Sequence, residues 1–229
     1  MTRALIFDLD DTLYRERRFA LSGFRAVAAS VARTHGVPID DGFRVLVDAL
    51  RRGRRSTAFQ ALSERAGLDQ PHADDLRAIY RAHQPALRLS SVARDVLARV
   101  RPSWRVGILT NGLPAVQRNK VAALGLEPLV DQIIYAHEAG PGKPDPAVFT
   151  LACRSLGVSP VRAVMAGDDP WCDVDGARRA GLRVIRLRQG WHRSVDAGDT
   201  GEADITVTSL ADVPAAAARL IEEDADNAD

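Results

Sequence analysis

Two aspartates two residues apart, Asp8 and Asp10, follow an apolar run in the segment FDLDDTL at residues 7–13. In extended geometry their side chains share a face, although beyond a strand's end the loop sets their directions. Carboxylates held this close repel unless a cation lies between them, and hard oxygen ligands of this kind suit Mg²⁺. One carboxylate can instead serve as a nucleophile, aspartate being the usual residue where phosphate is carried as an acyl phosphate. The competing reading is a solvated turn in which Asp and Thr cap backbone groups. A second acidic cluster, MAGDDPWCD at residues 165–173, favours chemistry over the turn. There Asp168, at a strand tip, can face Asp8 and complete an oxygen cage. Asp173 reads as the N-cap of the helix VDGARRA, as an outer metal ligand, or as both. The neighbouring Asp169 either tightens cation binding or caps the turn.

Two further strand ends carry groups suited to an anion. VGILTN ends in Thr110 and Asn111, which offer a hydroxyl and an amide to a phosphate oxygen. GPGKPDP presents Lys143, one of only two lysines in the chain beside Lys120, in a rigid loop before a helix. An ammonium there can pair with the carboxylates and with the charge on a transferring phosphoryl group.

The elements that must position these residues are legible as alternation. Short apolar runs at residues 4–7, 106–109, 133–135, 161–166, 184–187 and 205–207 read as buried strands of a parallel sheet. Helix-period segments separate the later ones. SSVARDVLARV opens on serine caps, and Asp145-Pro146 is a cap followed by a first-turn proline. After that proline Val148, Leu151, Ala152 and Ser155 form the expected buried stripe. The pattern predicts a doubly wound, Rossmann-like α/β core over residues 1–14 and 89–222. Residues 15–88 contain no convincing strand and predict an inserted all-helical cap of about four helices, near 19–34, 42–52, 57–66 and 73–83. The end of the chain, EEDADNAD, reads as an acidic disordered tail over residues 223–229.

Composition bounds the function classes. With 229 residues, 46% hydrophobic and 27% charged, this is ordinary globular material with enough chain for a sizeable core. No apolar run spans a bilayer and no export leader is evident, so a cytoplasmic protein is expected. The two cysteines have no zinc-site spacing. Residues 15–88 carry 14 Arg against 8 acidic residues. That surplus can draw anionic ligands by its field. The group RRGRR at residues 51–55 lacks the aromatic interleaving of a nucleic-acid surface and reads as a solvated helix end. P-loop, dinucleotide-binding, nucleophile-elbow and zincin motifs are all absent.

Taken in order, FDLDDTL, ILTN, GKPDP and GDDPWCD resemble the four motifs of the haloacid dehalogenase-like (HAD) hydrolase superfamily, with the helical insertion similar to the C1 cap of subfamily I. The resemblance implies roles position by position. Asp8 is then the nucleophile that becomes an aspartyl phosphate, and Asp10 the acid that protonates the leaving group and later the base that activates water. Thr110 holds the phosphoryl group, and Lys143 stabilises its charge and the nucleophile. Asp8, the backbone carbonyl of Asp10 and Asp168 form the Mg²⁺ site, which Asp173 supports directly or through water. Asp10 separates phosphatases from dehalogenases, which lack this second aspartate, and so places the chain on the phosphatase branch. The expected activity is Mg²⁺-dependent hydrolysis of a small phosphate ester, a sugar phosphate or a nucleotide. A phosphotransferase or phosphomutase of the same fold is the alternative, and a non-catalytic phosphate-binding protein a more distant one. The expected partner is a small-molecule phosphate ester, with neither nucleic acid nor membrane involved, and the sequence specifies no oligomeric state.

Overall fold

The computed structural model describes residues 2–67, 72–196, 198 and 202–226. The chain divides into two units, one made of Met1–Glu16 with Arg88–Asp229 and the other of Arg17–Leu87.

In the first unit six parallel strands lie in the order β3-β2-β1-β4-β5-β6. They are β1 (Ala4–Phe7), β2 (Arg105–Thr110), β3 (Gln132–Tyr135), β4 (Ala163–Gly167), β5 (Arg183–Leu187) and β6 (Ile205–Val207). Every residue of β1 is completely buried, which is why its sequence runs apolar without alternation. The chain leaves β1 toward β2 on one side and returns to place β4 on the other. Between the carboxyl ends of β1 and β4 lies the switch point where open α/β sheets bind ligands. Register aligns Phe7 with Ala166, so Asp8 and Asp168 leave adjacent strand tips.

Helices α5 (Ser91–Val100), α6 (Pro114–Leu124), α7 (Ala136–Ala139), α8 (Pro146–Ser155), α9 (Gly176–Arg179) and α10 (Val213–Asp226) belong to this unit. Ser90 caps α5 by accepting from Ala93 N at 3.1 Å, and Asp145 caps α8 by accepting from Ala147 N at 2.8 Å. The buried stripe of α8 is rotated from the expected one. It comprises Val148, Phe149, Ala152 and Cys153 and joins Ile6, Leu109, Met165 and Val184 in one core, while Leu151 is 38% exposed. The larger ring of Phe149 wins the inward position. The expected strand at 161–166 begins only at Ala163, because Pro160–Arg162 form a 3₁₀ turn. The acidic end expected to be disordered from 223 instead continues α10 to Asp226, and 227–229 lie outside the described residues.

Among the described residues the second unit holds four α-helices, counting α1 (Glu16–His35), which starts at its border, α2 (Ile39–Arg51), α3 (Ala58–Arg65) and α4 (His72–Ala82). Ala20, Phe24, Val27 and Val31 recur at helical spacing along α1 and meet Leu46, Leu50, Leu62 and Leu76 in a core of their own. Phe19 and Phe24 pack against Tyr80, and Phe24 meets Phe59 edge-on at 6.0 Å. Arg17, Arg18, Arg51, Arg52 and Arg54 are exposed, as a solvated basic face requires. Among the described residues no helix is long and apolar enough to cross a membrane.

Candidate active site

The carboxyl ends of β1, β2 and β4 and the loop before α8 bring Asp8, Asn111, Lys143, Asp168 and Asp173 around a cleft of about 160 Å³ that Asp10 also lines. A cleft this small holds a phosphoryl group, and the remainder of an ester must lie beyond it.

Lys143 is its electrostatic centre. The ammonium is buried and lies 2.6 Å from Asp8 Oδ1 and 2.6 Å from Asp173 Oδ1. Burial disfavours its charge, but the Asp173 and Asp8 carboxylates outweigh burial and hold its pKa above the ordinary lysine value. Asp8 is pushed well above the usual carboxylate range by burial, with Lys143 pulling the other way and Asp173 adding to the rise. The loop carrying Lys143 is clamped by Asn111, whose Nδ2 donates to Lys143 O and whose Oδ1 accepts from Lys143 N, both at 2.8 Å. Both polar ends of the Asn111 amide are thereby engaged. Gly142 makes that turn possible, with φ of 86° and an added Cβ coming within 2.6 Å of His137.

Asp173 is fully buried, and its Oδ2 accepts from Asp169 N at 3.1 Å. It lies so near the end of β4 that a Cβ on Gly167 would come within 2.2 Å of it, which only glycine avoids. The cap of the following π-helical turn, Pro170–Asp175, is Asp169, whose Oδ1 accepts from Trp171 N and Cys172 N. Of the two readings of Asp169, the structure selects the cap, leaving Asp173 to face the cluster. Asp11, at φ of 55°, serves the β1 turn by accepting from Glu16 N and from Trp191 N.

Asp8, Asp168 and Asp173 each offer a carboxylate oxygen within 4.8 Å of the others, all buried. The donor set is wholly hard oxygen, and among the described residues the ion pairs these three carboxylates make are with Lys143 and His192. The cluster therefore fits a divalent cation bound by oxygen. His192 was not singled out from sequence, and the only hint is its place just after the apolar run of β5. Its Nδ1 lies 2.9 Å from Asp168 Oδ2, and that hydrogen bond raises its pKa to about 9 despite partial burial. Burial lifts Asp168 to about 6 although His192 opposes it, so the pair is doubly charged between these values. A histidine with a raised folded pKa stabilises fully below its ordinary value and loses that contribution as pH rises through the folded one. In the presence of chelator the melting temperature should fall from pH 7 to pH 9.5, and His192→Gln should flatten that fall. An unchanged slope in the variant would exclude the pair as its source.

Asp10 stands apart from the three. Its Oδ1 accepts from Lys120 Nζ at 2.7 Å and from the Tyr14 hydroxyl, and its Oδ2 from Lys120 Nζ at 2.8 Å and Gln117 Nε2 at 2.9 Å. Burial works to raise its pKa, but the charge and hydrogen bonds of Lys120, with those of Tyr14 and Gln117, bring it below the usual range. Gln117 Nε2 also donates to Thr110 Oγ1 at 2.5 Å, and that hydroxyl donates to Asn111 O at 3.3 Å. Tyr14, Gln117 and Lys120 escaped the sequence reading, although Gln117 and Lys120 are three apart on the helix that follows Thr110.

Known proteins match this chain along most of their length. The glyceraldehyde 3-phosphate phosphatase of Methanopyrus kandleri is 28% identical over 205 residues, covering 86% of this chain and 88% of that protein. The validoxylamine A 7'-phosphate phosphatase of Streptomyces hygroscopicus subsp. limoneus is 29% identical over 221 residues, covering 93% and 96%. Among solved structures, a HAD phosphatase from Thermococcus onnurineus superposes with a TM-score of 0.61 at 25% identity, over 94% of this chain and 97% of that one. A 2-haloacid dehalogenase from Pseudomonas syringae pv. Tomato gives 0.64 at 27%, over 96% and 99%. Residues 2–181 match the haloacid dehalogenase-like hydrolase family. With curated phosphatases as its relatives and a cluster able to hold a divalent cation, the chain belongs to the haloacid dehalogenase-like hydrolases and is one of their phosphatases.

Proposed function

We propose that the protein is a Mg²⁺-dependent phosphomonoester hydrolase that works through an aspartyl phosphate on Asp8. The observation that carries this reading is the buried Asp8 carboxylate held 2.6 Å from the Lys143 ammonium at the lip of a phosphate-sized cleft. Lys143 fixes one oxygen of Asp8 and leaves the other as the attacking atom. Asp8 attacks phosphorus, the ester P–O bond breaks, and Asp10 delivers its proton to the departing oxygen. Water then attacks the same phosphorus while Asp10 takes its proton, releasing phosphate and restoring the Asp8 carboxylate. The lowered pKa keeps Asp10 in the unprotonated form that the second half-reaction needs, at some cost in basicity. For the first half, the negative field of an arriving phosphate opposes Lys120 and favours the protonated acid. The Thr110 hydroxyl accepts from Gln117 and donates to Asn111 O at 3.3 Å, and its role as phosphate holder requires that proton to turn from the carbonyl to a phosphoryl oxygen. Asn111 contributes by fixing the backbone of Lys143. Asp8, Asp168, Asp173 and the carbonyl of Asp10 would hold Mg²⁺, which offsets charge on the phosphoryl oxygens.

The relatives' names point to small phosphorylated metabolites, including glyceraldehyde 3-phosphate and phosphoserine. A panel of triose, pentose and hexose phosphates, phosphoserine and nucleotides should yield free phosphate with Mg²⁺ and none with excess chelator. Product isomerised without free phosphate would instead establish a mutase.

A further inference from the structure

In a carboxylate with about four lone-pair sites, two on each oxygen, four donor contacts leave none idle. Asp10 is in this state, with Tyr14 and Lys120 on one oxygen and Gln117 and Lys120 on the other. Gln117 and Lys120 are both almost fully buried, so neither contact is a passing encounter at the surface. Lys120 is one of two lysines in a chain that otherwise uses arginine for positive charge. A compact ammonium can touch both oxygens of one carboxylate where a guanidinium fork would need more room. The amide orientation of Gln117 follows from its partner, because an ionised carboxylate only accepts, so Nε2 must face Asp10.

We propose that Lys120 and Tyr14, with Gln117, are positioning residues that set the rotamer of Asp10 and hold its carboxylate at the rim of the phosphate cleft. The inference rests on the phosphatase reading, with Asp10 as acid and base, and extends it to three residues of α6 and the β1 loop. Gln117 gives the arrangement a second function. One amide nitrogen binds both Asp10 and the Thr110 hydroxyl, so a single side chain registers the proton donor against the residue that holds the phosphoryl group. Tyr14 is distinct because a phenol can accept as well as donate. It can therefore keep its contact when Asp10 is protonated, whereas Lys120 only donates.

Positioning of a general acid has a signature that a merely structural role lacks. An alkyl oxygen leaves poorly without a proton, while p-nitrophenolate leaves without one. Lys120→Met should therefore slow phosphoryl transfer from the best alkyl phosphate to Asp8, read as pre-steady-state formation of the phosphorylated protein, by about 100-fold, within the range that general acid–base catalysis supplies, with substrate affinity little changed. On p-nitrophenyl phosphate the burst of p-nitrophenolate should slow only a few-fold, while the second half-reaction, in which Asp10 activates water, slows alike for both esters. Tyr14→Phe, which keeps the ring and leaves Lys120 in place, should show the same selectivity in the transfer step at about one tenth the size. The ratio of the two transfer rates within one sample is independent of how much protein is folded, so partial misfolding of Lys120→Met does not blur the result. Equal losses in the two transfer rates, or no loss in either, would overturn the positioning role while leaving the phosphatase intact. A wild-type protein that hydrolyses neither ester with Mg²⁺ would overturn the phosphatase reading and this inference with it.

Discussion

Lys143→Met is expected to lower the melting temperature of the metal-free protein by about 10 °C, because removing one partner of a buried ion pair costs about 3–5 kcal/mol and each kcal/mol shifts a chain of this size by a few degrees. The reason lies in what remains. Asp8 and Asp173 each stand 2.6 Å from the lost ammonium, and both are buried, so the variant leaves two carboxylates facing one another without compensation. Two further measurements separate this cause from lost packing. Asp173→Asn added to Lys143→Met should recover part of the stability, since it removes one of the stranded charges. Mg²⁺ should raise the melting temperature of the variant more than that of the wild type, because the cation then supplies compensation that Lys143 no longer gives. A double variant no more stable than the single one would refute the electrostatic account. Turnover should fall about 1,000-fold in the same variant, the scale of removing a charge-stabilising group from a water-poor site.

Asp8→Asn should do the opposite to stability while doing more damage to activity. Loss of an essential nucleophile removes on the order of 10⁴-fold or more of the rate. Phosphate release should become undetectable on every ester of the panel. Acid-quenched wild-type protein should carry one phosphoryl group on the peptide containing Asp8, and the variant none. Burial raises the Asp8 pKa and Asp173 adds to it, so a neutral amide at this position relieves a cluster with surplus negative charge. The melting temperature in chelator should stay level or rise. Undiminished turnover in Asp8→Asn would end the proposal outright, and a phosphorylated peptide elsewhere would move the nucleophile.

What could be read from the amino acids follows a physical line. The central strands are legible because β1, β2 and β4 are buried on both faces, so each carries a short continuous apolar run and the residues just after it stand at a strand tip. That is enough to bring Asp8, Thr110 and Asp168 to one edge before any coordinate is known. Side-chain direction is a different matter. The helical spacing of Val148, Leu151 and Ser155 looked as plausible as the observed stripe, and only competition for space turned Phe149 and Cys153 inward. The same blindness hid His192, Gln117 and Lys120, whose partners lie 24, 107 and 110 residues away. Asp169 and Asp173 were both visible as acidic residues near a helix start, but which of them caps depended on a π-helical turn that residue types alone do not announce.

The central place of β1 also governs how the chain can assemble. Its backbone partners are Arg105 to Ile108 on one side and Ala163 to Ala166 on the other, so the strand synthesised first finds its neighbours only a hundred and then a hundred and sixty residues later. Between them comes a helical unit with its own core, whose contacts are all local by comparison. On the ribosome that unit can fold while β1 waits as an unpaired apolar segment. Closing loops of this length before any sheet contact rewards them makes completion of the sheet the slow event of folding. Asp8, one residue past β1, therefore comes into register with Asp168 only after all of β4 has been made.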